Sequence, residues 1–123
     1  MYRSMMQVYV KGSDRAVVLY RKAFDAGLAV SYPNADGTFM HAELDVYGQI
    51  MAVSEAPDGE EGITGNTMQF CLHFGEGNEM QVRKAYETLK EGARIQYPPS
   101  PCEYSPLMFD LIDKYGVRWC IFV

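Results

Sequence analysis

A chain of 123 residues, 48% hydrophobic and 22% charged, has the size and balance of one ordinary soluble domain able to bury a core. No apolar run approaches the roughly 20 residues that span a bilayer, so membrane insertion is not expected. A net charge of −5 with scattered basic residues repels a phosphate backbone, which argues against nucleic acid as a partner.

Cys71, Cys102 and Cys120 lie far apart, without the Cys-x-x-Cys spacing of zinc or redox sites, and read as reduced thiols. The opening Met1-Tyr2-Arg3-Ser4-Met5-Met6-Gln7 has no apolar signal core and no small-residue cleavage site, so a cytoplasmic location is expected.

Met5 to Lys11 alternates as a strand, with Met6, Val8 and Val10 on one face and Met5, Gln7 and Tyr9 on the other. Ser13 or Asp14 is placed to cap a helix that buries Val17, Tyr20 and Phe24 and stops at Gly27. Leu28 to Tyr32 is a short strand ending in the turn cluster Pro33 to Gly37. Thr38 to Ser54 then reads as a hairpin around Tyr47-Gly48. With a two-residue turn, Glu43 faces Ala52 and His41 faces Ser54. Glu55 to Asn66 is a Gly-rich acidic connector.

Thr67 to Phe74 alternates again, Met68, Phe70, Leu72 and Phe74 against Gln69, Cys71 and His73. Asn78 and Gln81 have the spacing of a capping box for a helix carrying Val82, Ala85, Tyr86 and Leu89 on one face and ended by Gly92. Ala93 to Tyr97 is a strand, and Pro98-Pro99-Ser100-Pro101 predicts an extended loop. A last hairpin runs from Leu107 to Val123 around Tyr115-Gly116.

One order, strand, helix and three strands, is thus written twice. Asp45-Val46-Tyr47-Gly48 maps onto Asp113-Lys114-Tyr115-Gly116, and Phe24-Asp25-Ala26-Gly27 onto Leu89-Lys90-Glu91-Gly92. The expected fold class is α+β: two βαβββ modules, about residues 1–56 and 67–123 of a single domain, with curved sheets around a cavity and helices outside. Each helix must cover an apolar sheet face, here the one holding Met6, Met40, Met51, Met68, Phe70, Trp119 and Ile121. The faces left over carry Gln7, Tyr9, His41, Glu43, Ser54, Gln69, His73, Arg118 and Cys120, with Met5, Phe109, Leu111 and Phe122 among them. Function is expected there.

Four pieces of the chain, Tyr20-Arg21-Lys22-Ala23-Phe24, His41-Ala42-Glu43-Leu44, Ile50 to Pro57 and Asp113 to Trp119, carry a resemblance in their order and spacing. The sequence resembles the vicinal oxygen chelate superfamily, which includes glyoxalase I, extradiol dioxygenases and the fosfomycin- and bleomycin-resistance proteins. Within it the chain is most similar to the PhnB-like branch, often labelled 3-demethylubiquinone methyltransferase-like. The resemblance implies paired modules around a cavity, dimers that often complete it, and, in the enzymes, a divalent metal held by His, Gln or Glu on the first and last strands of each module. By the repeat those places are Met5, Ala52, Gln69 and Cys120. Ala52 offers no donor and Met5 only a thioether, so the usual metal is not expected, and standard glyoxalase or dioxygenase chemistry with it. No Gly-rich strand-to-helix turn is present to hold a nucleotide-like methyl donor.

The candidate ligand-binding residues are Gln7, Tyr9, His41, Glu43, Gln69, His73, Tyr104 and Cys120. His41 and Glu43, two apart on one strand, have the chemistry for an acid-base pair or part of a relocated metal site; the alternative is a hydrogen-bonded structural pair. Gln7, Tyr9 and Gln69 supply neutral donors and acceptors. Tyr104 serves as an aromatic wall or a loop anchor. His73 is a strand-end residue with a weaker claim. Cys120 is a buried apolar filler if not a ligand contact. Arg118 is expected to pair with Asp113 across the hairpin. The function expected is metal-free binding of a small organic molecule by a homodimer; the alternative is an enzyme using a relocated metal or the His41/Glu43 pair. The ligand itself is not legible.

Overall fold

The computed structural model describes residues 1–59 and 62–123, which form two compact units, Met1–Ile63 and Thr64–Val123. The first contains β1 (Met6–Val10), α1 (Ser13–Phe24), β2 (Gly27–Pro33), β3 (Phe39–Val46) and β4 (Gln49–Glu55); the second contains β5 (Phe70–His73), α2 (Glu79–Leu89), β6 (Arg94–Cys102), β7 (Ser105–Ile112) and β8 (Arg118–Phe122). The sheets are ordered β1-β4-β3-β2 and β5-β8-β7-β6, so the duplicated order seen in the sequence is a duplicated topology. The fold is α+β, two βαβββ modules each with one helix on its four-stranded sheet.

In the first unit α1 buries Ala16, Val17, Tyr20, Ala23 and Phe24 against the sheet face formed by Val8, Val10, Ala42, Leu44, Val46, Met51 and Val53. The turn at Tyr47-Gly48 places both residues at positive φ, 50° and 85°, the geometry of a two-residue hairpin whose twist matches its strands. It sets Ala42 opposite Val53 and Glu43 opposite Ala52, the register the sequence predicted. The helix ends earlier than predicted: Asp25, not Gly27, takes the left-handed cap position at φ 49°. Its start differs as well. Neither Ser13 nor Asp14 caps it; the Glu55 carboxylate, the last residue of β4, accepts from Gly12 N–H (3.1 Å), Ser13 N–H (2.8 Å) and the Ser13 hydroxyl (2.8 Å). Glu55 thus belongs to β4 and not to the connector Glu55–Asn66 that the sequence suggests; of that stretch Glu60 and Glu61 lie outside the described residues.

In the second unit α2 buries Val82, Ala85 and Leu89, and the edge of Tyr86 meets the Phe109 ring at 5.2 Å. Leu111, Trp119 and Ile121 complete this core. Phe109 and Leu111 therefore lie beneath the helix, not on the opposite face as the repeat alignment placed them. The reason is one residue. Glu43 pairs with Ala52, nine positions on, whereas Asp110 pairs with Cys120, ten positions on. A one-residue shift turns every side chain of a strand to the other face.

Other boundaries move for local reasons. β5 begins at Phe70 rather than Thr67, and Met68 stays 80% exposed instead of packing under a helix. Asn78 makes no side-chain cap; its amide donates to Phe74 O at 2.8 Å, so the predicted capping box with Gln81 does not form. Pro98 to Pro101 are not a loop but part of β6, an edge strand whose pairing to β7 shifts register between Tyr97 and Ser100 and again before Cys102. An edge strand tolerates prolines because one row of its backbone groups has no ladder to make.

Candidate functional site

Within each sheet the face away from the helix carries the polar candidates. In the first unit Gln7 pairs with Ala52 and Tyr9 with Ser54 across β1 and β4, while Glu43 pairs with Ala52 across β3 and β4. Partners across strands point the same way, so Gln7, Tyr9, His41, Glu43, Ala52 and Ser54 share this helix-free face. The Gln7 amide donates to Ser54 Oγ at 3.0 Å. Tyr9 is exposed and makes the outer margin.

Glu43 is the centre of this face and is buried, with 5% of its surface exposed. The Arg3 guanidinium grips it with two bonds, Nη1 to Oε2 at 3.0 Å and Nη2 to Oε1 at 2.7 Å, and His41 Nε2 lies 3.0 Å from Oε1. Arg3 first and His41 second hold the Glu43 carboxyl at about 2, against an ordinary 4.5. A carboxylate so held is a poor proton acceptor, which weakens the acid-base reading of the pair. The His41 ring is tilted against Tyr32, 6.4 Å between centroids, on the neighbouring strand β2. Arg3 was not foreseen: a lone basic residue in an unpatterned opening segment gives no periodic signal.

The second unit presents a parallel cluster. Cys71, Cys120 and Asp110 are paired across β5, β8 and β7, the places that Gln7, Ala52 and Glu43 hold in the first sheet. Asp110 is buried and accepts two bonds from Arg118, Nε to Oδ1 at 3.2 Å and Nη2 to Oδ2 at 3.1 Å, plus one from Gln69 Nε2 at 3.2 Å. Arg118 thus pairs with Asp110 and not with Asp113. The Asp113 carboxylate is buried and takes Trp119 Nε1–H at 2.9 Å and the turn amides of Tyr115 and Val117 at 2.8 and 3.1 Å. Asp110 was also missed, although a single carboxylate inside Leu107-Met108-Phe109-Asp110-Leu111-Ile112 was a signal, since a buried carboxylate needs a partner.

Beside this cluster Phe122 is stacked by His73, 4.6 Å between centroids and 17° between planes, and met edge-on by Tyr104 at 5.2 Å. The Tyr104 hydroxyl lies 3.7 Å from Cys120 Sγ; that contact, and then burial, push the phenol up to about 12. Burial pushes the Cys120 thiol up as well, so it remains protonated at neutral pH. Gln69, His73, Tyr104 and Cys120 are therefore neighbours on one helix-free face, and Gln7, Tyr9, His41 and Glu43 on the other. A surface concavity of about 450 Å³ against Val18, Arg21, Lys22, Asp25 and Ala26 is on α1 and touches none of them.

Among the described residues no group of three or more His, Cys, Asp or Glu side chains is placed to hold a metal ion. The donor set explains why. Ala52 has no donor, the Cys120 thiol is protonated, and the nearest carboxylates across the strands, Glu43 and Asp110, already have both oxygens engaged by arginines. A divalent ion prefers oxygen, imidazole or thiolate ligands free to turn toward it, so these residues do not fit the metal that the resemblance implies.

No protein-family model and no curated protein matches the chain. Its backbone is nonetheless similar to solved structures over almost its whole length. The PhnB protein from Bacillus cereus superposes with a TM-score of 0.82 at 18% identity, covering 98% of both chains. TioX from Micromonospora sp. ML1 gives 0.67 at 21% identity, covering 97% of this chain and 93% of its own. The fosfomycin resistance protein FosX from Listeria monocytogenes, complexed with Mn(II) and a dihydroxypropylphosphonic acid, gives 0.67 at 12% identity, covering 98% and 87%. The chain has the paired βαβββ fold these proteins share.

Proposed function

We propose that this chain, built on the fold of the PhnB-like and FosX proteins, binds a small organic molecule against the helix-free faces of its sheets and does so without the divalent metal of the superfamily's enzymes. One observation carries the reading: the two carboxylates central to those faces, Glu43 and Asp110, are each clamped by a bidentate arginine. Such a pair neutralises the charge a metal would need and fixes the side chain's direction. What remains for a ligand is hydrogen-bonding groups and aromatic rings on each face by itself, Gln7, Tyr9 and His41 on the first sheet and Gln69, His73 and Tyr104 on the second. Rings and amides suit a partly aromatic molecule that carries hydrogen-bonding groups. A homodimer in the cytoplasm is part of the same reading; among the described residues no helix is long and apolar enough to cross a membrane.

The enzyme reading, with His41 and Glu43 as the acid-base pair, is disfavoured because Glu43 is held at about 2. A small-molecule thermal-shift screen, run with and without a chelator, tests the choice, since a ligand that binds only the folded state raises its melting temperature. Hits that persist in chelator are expected. Hits that vanish in chelator and return with one equivalent of a divalent ion would overturn the reading.

A further inference from the structure

The two halves of the chain solve one electrostatic problem in different ways. In the second unit the cation on Asp110 comes from the sheet itself, from Arg118, two residues before Cys120 on β8. The equivalent place in the first unit, two residues before Ala52 on β4, is Ile50, which carries no charge. Glu43 takes its guanidinium instead from Arg3, in a terminal segment that belongs to no strand or helix. Met1 and Tyr2 before it are almost fully exposed, at 110% and 98%. The groups around the Glu43 carboxylate are Arg3 and His41, with Tyr32 alongside the imidazole.

We infer that Glu43 and His41 form a recognition site for a planar cation, a guanidinium or amidinium group carried by the ligand, and that Arg3 occupies this site in cis until the ligand displaces it. The inference rests on the proposed small-molecule function and names a chemical feature of the molecule bound. A fork of parallel N–H groups matches a carboxylate's two oxygens, and Arg3 already demonstrates the fit with bonds of 2.7 and 3.0 Å. A short tether makes Arg3 a competitor at an effective concentration of about millimolar, high enough to reject weak cations and low enough to yield to a ligand with further contacts.

The probe is ethylguanidinium chloride, followed by amide chemical shifts in the 15N-labelled protein at constant ionic strength. Arg3→Ala should bind it saturably, with an apparent Kd at least about tenfold below that of the unaltered chain, because the tethered competitor is gone. The Arg3→Ala/Glu43→Gln double variant should lose that gain, and tetramethylammonium, which has no N–H to donate, should not bind to Arg3→Ala. The inference is overturned if folded Arg3→Ala binds ethylguanidinium no better than the unaltered chain, or if the double variant binds it equally well. Should Arg3→Ala fail to fold, Arg3→Lys serves: its single ammonium cannot make the fork, so an intermediate Kd is expected and an unchanged one refutes the idea. These arms do not depend on the ligand screen. Hits that bind Glu43→Gln as tightly as the unaltered chain would leave small-molecule binding standing and remove this inference alone.

Discussion

Glu43 shows how a single side chain can be read from its partners. Its carboxyl is held near 2 in the folded chain and returns to about 4.5 when unfolding removes Arg3 and His41. A group whose folded pKa is depressed adds stability above its unfolded value and loses it as pH falls through the folded one. The margin by which the unaltered chain outlasts Glu43→Gln in urea should therefore be full at neutral pH and shrink between about 4.5 and about 2. Denaturation midpoints of both proteins across that range measure it; a margin constant down to the acid limit would mean the arginine contact is not made in solution. Asp110 is built on the same pattern but draws its arginine from its own sheet, and this contrast separates a fixed clamp from an exchangeable one.

At the scale of elements, the α1 start depends on a strand rather than on its own sequence. Glu55 satisfies Gly12 N–H, Ser13 N–H and the Ser13 hydroxyl, and that hydroxyl in turn accepts Phe39 N–H at 2.8 Å, so one carboxylate joins β4, α1 and β3. Glu55→Ala should cost about 1–2 kcal/mol, the range of a lost helix cap, read from chemical denaturation. Asp14→Ala, whose side chain caps nothing, should cost far less. The same comparison shows what the sequence could convey. Strand alternation and the Tyr47-Gly48 turn were legible because local geometry fixes them, and so were the helix faces of Val17, Tyr20 and Phe24 and of Val82, Ala85 and Leu89. Caps supplied from a distant strand leave no local trace, and neither does the extra residue that turned Phe109 and Leu111 under α2. On the helix-free faces, the placing of Gln7, Tyr9, His41, Glu43, Gln69, His73 and Cys120 was legible from alternation; the partners of the two buried carboxylates were not, since Arg3 and Glu43 are 40 positions apart and Arg118 turns to Asp110 rather than Asp113.

At the scale of the whole molecule, each of the two units has a core closed by one helix on one sheet. Val53 is fully buried with the α1 core, and Ile121 is fully buried with the α2 core. Removing methyl groups from such positions costs the lost burial plus a cavity term, about 2 kcal/mol for Val53→Ala and about 1 kcal/mol for Ile121→Val. Val53 lies in the first unit and Ile121 in the second, so the double variant should equal the two single costs added together to within about 0.5 kcal/mol. Urea denaturation of the four proteins completes the cycle, provided fluorescence and circular dichroism give coincident transitions, the sign of one-step unfolding, and the slope is the same for all. A coupling of 1 kcal/mol or more would mean that strain passes from one core into the other. A duplicated fold leaves each helix-free face free to vary without disturbing the packing beneath its own helix, and the chain's differing choices at Ile50 and Arg118 are a variation of that kind.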